Sequence, residues 1–217
     1  MTAIFDMDGV LIDTVSRHWN AYNEILEEMY GVRVDDTEIA NLIGMSLPEQ
    51  LPILKKKFNI KIDADKFVPL ANERKEQAMD GIEPKPGVVK LLRSLKDQGI
   101  KSGVGTSTSR ITAIERLKNI GIYDCFSVVI GEEDVTHHKP DPEVYNLVAQ
   151  KLDADPKATV VFEDAPSGIE AAISAGMKSV GICTTYTTRE KLSRADLVVN
   201  SLEEVTLETI QMLLKRK

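Results

Sequence analysis

Short apolar runs alternate with helical patterns of hydrophobic residues from residue 84 onward. The runs are rich in Val and Ile, which is typical of β-strands. They are Lys101 to Ser107, Phe126 to Gly131, Thr159 to Asp164, Lys178 to Cys183 and Asp196 to Asn200. Hydrophobic residues between them recur at three- and four-residue spacing, which predicts amphipathic helices. The stripes are Val88, Leu92 and Leu95, then Ile111, Ile114 and Leu117, then Val144, Leu147 and Val148. This alternation predicts a parallel sheet with helices on both faces.

The segment from residue 15 to residue 80 shows helical periodicity without a convincing strand. Its hydrophobic residues repeat at helical spacing in Trp19, Tyr22, Leu26 and Met29. Ser46 and Glu49 have the spacing of a helix capping box. The apolar run TAIF lies before this segment and predicts a first strand. We therefore predict an α/β fold with a doubly wound parallel sheet, formed by residues 1–14 and 81–217, and a small α-helical cap domain at residues 15–80.

The composition is that of an ordinary globular protein of 217 residues, with 42% hydrophobic and 28% charged residues. The net charge of -7 and the pI near 5.1 argue against nucleic acid or an anionic membrane as the main partner. No apolar run reaches the roughly 18 residues that a membrane span needs, and no signal region is evident, so a cytoplasmic protein is expected. The two cysteines, Cys125 and Cys183, lack metal or redox spacing and are interpreted as buried reduced thiols.

Polar residues follow several of the predicted strands at the point where each strand ends. In an open parallel sheet this edge forms the ligand crevice. The residues placed there are Asp6 and Asp8, Thr106 and Ser107, Lys139 from the HHKPDP turn, and Glu163 and Asp164. Four carboxylates in one small site repel one another, and they require either raised pKa values or a cation. Oxygen ligands without clustered His or Cys favour Mg²⁺.

The other groups at this edge suit phosphoryl transfer. The hydroxyl and backbone donors of Thr106 and Ser107 can bind phosphate oxygens, and Lys139 can offset negative charge. Each motif alone also has a structural interpretation, as a helix cap or a solvated loop charge. An EF-hand is disfavoured because Gly9 comes too early, and a dinucleotide site is disfavoured because Thr108 replaces the last glycine of that fingerprint. The convergence of several strands on one reaction favours the catalytic interpretation.

These motifs together resemble the haloacid dehalogenase superfamily of phosphatases and phosphomutases. The four motifs occur in order along nearly the whole chain: DMDGV at Asp6 to Val10, Thr106 at a strand end, Lys139 in the KPDP turn, and Glu163 with Asp164 in FEDAPSG. Within the superfamily, MDGVLIDT followed by a helical cap is most similar to the beta-phosphoglucomutase-like group, which includes sugar-phosphate phosphatases.

The resemblance implies a role for each of these residues. Asp6 would attack phosphorus to form an aspartyl phosphate, and Asp8 would act as general acid and then as general base. Magnesium would be held by the Asp6 carboxylate, the Asp8 backbone carbonyl and Asp164, with Glu163 nearby or bound through water. Gly9 would let the backbone turn closely beside the phosphate.

The resemblance also implies cap residues and one departure from the mutase pattern. Thr14, His18 and Lys75 match positions that face the substrate or assist the acid/base residue. Leu47 stands where the mutase pattern carries an arginine that binds the second phosphate of its intermediate. Leucine cannot replace a bidentate phosphate ligand, so this position favours hydrolysis.

Three hypotheses follow. The first is a magnesium-dependent phosphatase that hydrolyses a small phosphorylated metabolite, most plausibly a sugar phosphate, as a monomer. The second is a phosphomutase of the beta-phosphoglucomutase type. The third is a phospho-receiver signalling module, which the helical insert and the position of the acidic pair at the first strand disfavour.

Overall fold

A computed structural model describes residues 1–43 and 47–215. Ser46, part of the predicted capping box, lies outside these residues. The described residues fall into two compact units, Met1–Asp13 with Glu83–Lys217, and Thr14–Ile82. The sequence-based limits differ from these because they assigned Thr14, Gly81 and Ile82 to the α/β domain.

The strands of the first unit form one parallel sheet. Among the described residues it has six strands: β1 (Thr2–Phe5), β2 (Lys101–Gly105), β3 (Val128–Ile130), β4 (Thr159–Glu163), β5 (Lys178–Ile182) and β6 (Leu197–Val199). Their order is β3-β2-β1-β4-β5-β6, and all neighbours are parallel. The chain moves outward from β1 in one direction and then, from β4, in the other. Right-handed crossovers in opposite directions place helices on both faces, so the predicted doubly wound α/β fold is confirmed.

The second unit contains the helices between β1 and β2. These helices are α1 (Thr14–Tyr30), α2 (Asp36–Leu42), α3 (Leu47–Phe58) and α4 (Ala64–Gln77). Trp19, Tyr22 and Leu26 are buried as the pattern predicted, whereas Met29 is 40% exposed. The Arg17 guanidinium of α1 donates to the carbonyls of Ala78 (2.8 Å), Asp80 (3.0 Å) and Gly81 (3.2 Å). This arginine therefore fastens the end of the insert to its first helix.

The remaining helices pack on the sheet. They are α5 (Val88–Asp97), α6 (Arg110–Asn119), α7 (Glu143–Leu152), α8 (Pro166–Ser174) and α9 (Leu207–Lys215). The predicted stripe of α5 is buried, and in α7 Val144 and Val148 are buried while Leu147 is partly so. The predicted stripe of α6 is wrong at its start, because Ile111 is 67% exposed and the buried face consists of Ala113, Arg116 and Leu117.

The two faces of the sheet carry different packing, with stacked phenylalanine rings on one face and a largely aliphatic cluster on the other. The rings of Phe5 and Phe162 on neighbouring strands stack with centroids 4.6 Å apart. Ile4 and Val161, one residue earlier in each strand, belong instead to a buried cluster that includes residues of α7 and α8. Successive residues of a strand face opposite sides of the sheet, which explains the division. Because both faces are covered, β1 and β4 are buried along their whole length.

Two smaller expectations concern the cysteines and membrane-spanning helices. Cys125 and Cys183 are free thiols, but both are half-buried rather than buried. Within residues 1–43 and 47–215, no helix is both long and apolar enough to cross a membrane.

Candidate active site

Asp6 and Asp8 lie in the turn that follows β1. The Asp6 amide still donates to the Phe162 carbonyl of β4 at 2.9 Å, so the sheet positions this aspartate directly. The Lys85 ammonium, from the segment before α5, donates to the Gly9 carbonyl. The turn is thus held by the sheet on one side and by a lysine on the other.

Gly9 allows the end of β4 to approach this turn closely. Its φ is +82°, in the left-handed region that favours glycine. A Cβ atom on Gly9 would overlap the Asp164 carboxylate. The glycine therefore brings Asp164 next to the turn that carries Asp6 and Asp8.

Lys139 joins two carboxylates at the carboxyl edge of the sheet. Its Nζ donates to Asp6 Oδ1 at 2.6 Å, to Glu163 Oε1 at 2.7 Å and to the Gly105 carbonyl at 3.2 Å. The side chains of Lys139 and Asp6 are only 8% and 9% exposed. All three ammonium protons are used, so the cation is fixed in position.

The loop that carries Lys139 is held by the first residue of α7. Glu143 accepts from the amides of Thr136 at 3.0 Å and His137 at 2.8 Å. A carboxylate that accepts two backbone donors orders the segment before the lysine. The KPDP turn is therefore rigidly attached to the helix that follows it.

Glu163 uses both carboxylate oxygens within the protein. Its Oε1 accepts from the Tyr145 hydroxyl at 2.7 Å as well as from Lys139, and its Oε2 accepts from the Ala165 amide at 2.9 Å. Its side chain is 1% exposed. A Cβ on Gly168 would overlap it, so α8 needs glycine there. Glu163 thus fixes Lys139 in place, and its predicted role as a nearby or water-mediated metal ligand stays a prediction.

Asp8 contacts a different set of residues. Its Oδ2 accepts from the Thr108 hydroxyl at 2.6 Å and lies 3.4 Å from the Thr106 hydroxyl. Its Oδ1 lies 3.6 Å from Nη1 of Arg116. Its side chain is 26% exposed, so Asp8 is the more accessible of the two aspartates after β1.

Burial dominates the electrostatics of the site. It raises the pKa of Asp6 to about 8; Lys139 opposes this shift, and Glu163 and Asp8 add to it. Burial also raises the pKa of Asp164 well above its usual range, with further contributions from Glu163 and Asp6. Burial acts to lower the pKa of Lys139, but the two carboxylates outweigh it and raise that pKa well above its usual value. Without a cation, burial therefore favours the neutral, protonated forms of Asp6 and Asp164 at neutral pH.

The predicted magnesium ligands are the Asp6 carboxylate, the Asp8 backbone carbonyl and Asp164, with Glu163 nearby or bound through water, and this set stays a prediction. Over the described parts of the chain, no group of three or more His, Cys, Asp or Glu side chains is arranged to hold a metal ion. In this arrangement Lys139 and Tyr145 donate to Glu163, and the Thr108 hydroxyl donates to the Asp8 side chain. Asp6 and Asp164, both buried with raised pKa values, are the acidic pair that a cation would stabilise.

Four other predicted site residues differ in their burial and in the unit to which they belong. Ser107 is exposed at the end of β2. Thr14 is buried, and His18 and Lys75 are half-buried; these three belong to the helical insert. Their roles toward a substrate stay predictions.

The structure adds residues that sequence reasoning missed. Tyr145 contacts Glu163, Lys85 contacts Gly9, and Thr108 and Arg116 contact Asp8. Thr108 was considered only as a departure from a dinucleotide fingerprint. A second hydroxyl two residues after Thr106 was the available signal.

The model of the haloacid dehalogenase-like hydrolase family matches residues 3–182. This range includes the residues described above as contacting Asp6, Asp8 and Glu163. The chain belongs to this family.

The hydrolase is similar to proteins that are named as phosphatases or as phosphomutases. It is 37% identical to the phosphorylated carbohydrates phosphatase of Thermotoga maritima, over 82% of each chain. It is 34% identical to the fructose-1-phosphate phosphatase of Escherichia coli, over 82% of this chain and 94% of that protein. The crystal structure of beta-phosphoglucomutase from Clostridium difficile superposes with a TM-score of 0.75 at 31% identity, covering 98% of this chain and 96% of the other.

These similarities confirm three predictions for the hydrolase. It is an enzyme of the haloacid dehalogenase phosphatase type, it belongs with the beta-phosphoglucomutase-like group, and it carries a helical insert between β1 and β2.

Proposed function

We propose that this hydrolase is a magnesium-dependent phosphatase of a small phosphorylated carbohydrate and that it works through an aspartyl phosphate on Asp6. The observation that carries the proposal is the Lys139 ammonium held between Asp6 and Glu163 at the sheet edge. A buried lysine beside a carboxylate can neutralise the charge that accumulates when that carboxylate attacks a phosphate ester.

The reaction has two balanced steps. In the first, an Asp6 oxygen forms a bond to phosphorus, the bond from phosphorus to the sugar oxygen breaks, and Asp8 gives that oxygen a proton. In the second, Asp8 takes a proton from water, the water oxygen bonds to phosphorus, and the bond to Asp6 breaks. Thr106 and Ser107 would donate to phosphate oxygens at the end of β2.

The residues present suit a magnesium ion. Asp6, Asp164 and the Asp8 backbone carbonyl would hold it, which is an oxygen donor set with two carboxylates of the kind magnesium accepts. When bound, the ion supplies positive charge that favours the ionised, nucleophilic form of Asp6. Glu163 keeps Lys139 in place and is left out of the proposed ligand set.

A sugar phosphate as substrate is supported by the relatives. The Thermotoga and Escherichia coli proteins are named for phosphorylated carbohydrates and fructose 1-phosphate. Thr14, His18 and Lys75 of the insert are the proposed substrate contacts.

Phosphomutase activity is the second candidate, because the chain is 30% identical to the beta-phosphoglucomutase of Bacillus subtilis over 95% of its length. Leu47, the first residue of α3, has no donor for a second phosphate, whereas a mutase must hold a bisphosphate intermediate. This difference favours the phosphatase.

A substrate screen tests the proposal. The purified protein with MgCl₂ is incubated with a panel of sugar phosphates, phosphoglycolate, nucleotides and pyrophosphate, and both free phosphate and isomerised products are measured. We expect free phosphate from sugar phosphates. An isomerised sugar phosphate with little free phosphate would establish the mutase instead, and a stable phosphoprotein without turnover would favour a receiver.

A further inference from the structure

Arg116 places a charge on the buried face of α6, where a hydrophobic side chain would be expected. It is 7% exposed and lies on the inward face of α6 beside Ala113 and Leu117. Ile111, five residues earlier, is 67% exposed. The helix therefore buries an arginine and leaves an isoleucine in solvent, which is the reverse of what hydrophobic burial favours.

A buried guanidinium needs an anion close by. Arginine stays charged at any physiological pH, and removing it from water is costly unless a carboxylate compensates. Asp8 is a carboxylate that Arg116 reaches, with Nη1 3.6 Å from Oδ1. The side chain of Arg116 is 9% exposed, so a substrate has little access to the guanidinium.

The other oxygen of Asp8 is held from a different part of the chain. Thr108, in the loop between β2 and α6, donates its hydroxyl to Oδ2 at 2.6 Å. Thr108 is itself tied to the end of β2, because its amide donates to the Thr106 hydroxyl at 3.1 Å. Both oxygens of Asp8 thus have fixed neighbours, while a quarter of the side chain stays accessible.

We propose that Arg116 and Thr108 are positioning residues that hold the Asp8 carboxyl group at the angle needed to give a proton to the leaving oxygen. Neither residue gains or loses a proton in the reaction; the proton moves from Asp8 to the ester oxygen as the bond to phosphorus breaks. This inference rests on the proposed phosphatase function. A misoriented acid loses much of its effect, since proton transfer requires hydrogen-bond geometry.

The test compares esters that differ in their need for an acid. The leaving group of 4-nitrophenyl phosphate departs as a stable anion, whereas phenyl phosphate, nearly the same in size, and glucose 6-phosphate need protonation. The value of kcat/KM reports the first step, and it is measured for the wild type, Arg116→Met, Arg116→Lys and Thr108→Val. Asp8→Asn sets the limit for complete loss of the acid.

We expect Arg116→Met and Thr108→Val to lower kcat/KM about 10- to 100-fold for phenyl phosphate and glucose 6-phosphate, which is part of the roughly 100- to 10,000-fold that a general acid contributes. For 4-nitrophenyl phosphate the loss should stay within about threefold, because the acid contributes little there. Arg116→Lys keeps the charge and should recover part of the loss. Methionine fills the site without a buried charge, so the fold should persist, as thermal unfolding can verify.

Arg110→Met is the matched control, because Arg110 lies on the same helix and pairs with Asp134 at 3.2 Å with its side chain 49% exposed. It should leave the ratio between the esters unchanged. Equal losses for all three esters in Arg116→Met would assign the arginine a purely structural role and overturn the inference, as would an unchanged or faster reaction with phenyl phosphate. A wild type that hydrolyses none of the esters would refute the proposed function itself.

Discussion

The burial of the Asp6 carboxyl group determines how replacement of Asp6 by asparagine should affect the stability of the protein. Burial raises its pKa to about 8, so at pH 7 without a cation the neutral form predominates in the folded protein. A raised carboxyl pKa means that ionisation opposes folding at any pH above the ordinary pKa of aspartate. Asparagine has nearly the same shape as the neutral acid and cannot ionise.

Asp6→Asn should therefore remove activity without loss of stability. We expect kcat below about one thousandth of the wild-type value, because the nucleophile is lost. The free energy of unfolding at pH 7, measured by urea titration without metal, should equal or exceed that of the wild type. A purified variant with a near-normal rate would refute the role of Asp6 as nucleophile.

Gly168 affects the position of the Lys139 side chain through its close approach to Glu163. A methyl group at this position overlaps the Glu163 carboxylate, so the side chain that accepts from both Lys139 and Tyr145 must move. Gly168→Ala should destabilise the protein by about 1–3 kcal/mol, as overpacking does, despite the better helix propensity of alanine. It should also lower kcat at least about tenfold, because a displaced lysine stabilises charge poorly.

Ser167→Ala provides the comparison for this prediction. Ser167 is the neighbouring residue in α8 and is exposed, so a methyl side chain there should change the unfolding free energy by less than about 0.5 kcal/mol. Thermal unfolding and steady-state rates of Gly168→Ala and Ser167→Ala test this prediction. Equal behaviour of the two variants would show that the approach of Gly168 to Glu163 is unimportant.

Residue types and strand ends could be predicted from the sequence more readily than contacts. Asp6 and Lys139 were both expected at the sheet edge because each follows a strand or its turn. The sequence could not show which carboxylates contact Lys139 and which contact hydroxyl donors, because this depends on the donors that lie within about 3 Å of each oxygen. Glu163 appears as one more acidic residue in the sequence, and only the packing of Tyr145 and Gly168 shows that its oxygens are occupied.

At the level of elements, hydrophobic periodicity predicted α5 well and α6 poorly. In α5 the buried positions are apolar, so pattern and structure agree. In α6 the inward position of Arg116 is set by a charge on another segment, Asp8, which a local pattern cannot detect. The insert shows the same limit, because the side chain of Arg17 bonds to backbone carbonyls more than 60 residues away in the chain.

Strands β5 and β6 are joined near their starts by Asp196. Its Oδ1 accepts from Lys178 Nζ at 2.8 Å, and its Oδ2 accepts from the Ser179 amide at 2.9 Å. Partial burial acts to raise the pKa of Asp196, but the Lys178 and Ser179 donors outweigh it and lower that pKa. A lowered carboxyl pKa contributes stability above the unfolded-state pKa, and this contribution is lost as the pH falls through the folded-state pKa.

Asp196→Asn should therefore destabilise the protein in a manner that depends on pH. At pH 7 we expect a loss of about 1 kcal/mol, since solvent screens this half-exposed group. The difference from the wild type should persist down to about pH 4, the ordinary range of aspartate, and shrink below it. Urea unfolding of both proteins from pH 7 to pH 3 measures it. A difference that stayed constant over this range would contradict the ionic origin.

For the whole molecule, the main electrostatic expectation concerns magnesium. The protein has a net charge of -7, and the buried acids Asp6 and Asp164 have raised pKa values. A cation that binds them must displace protons, so its affinity should increase as the pH rises toward 8. Excess EDTA should reduce hydrolysis to background.

Thermal unfolding gives a second measurement that does not depend on activity. Magnesium at about 100 times the Kd measured at pH 8 should stabilise the wild type by about 2.7 kcal/mol at that pH, and the same concentration should stabilise it less at pH 6. Asp6→Asn should lose most of this gain, and NaCl of equal ionic strength should not reproduce it. Full activity in EDTA would refute the proposed metal dependence.

The overall topology was predictable because strand and helix alternate regularly from residue 84 onward. The sequence placed the helical insert after the first strand for the same reason, since strand patterns stop there and return later. The exact limits of the strands were harder to predict. The run from Phe126 to Gly131 predicted a strand, but β3 spans only Val128–Ile130. Boundaries of this kind depend on packing rather than on periodicity.

The place of β1 in the strand order also matters during synthesis on the ribosome. Thr2 pairs with Lys101 on one side and with Thr159 on the other, so the first strand to be made becomes the middle of the sheet. It has no partner until the helical insert has been translated, and its second partner arrives later still. Until then β1, an apolar segment, is accessible to chaperones and to other nascent chains. We therefore expect the sheet to form slowly and late.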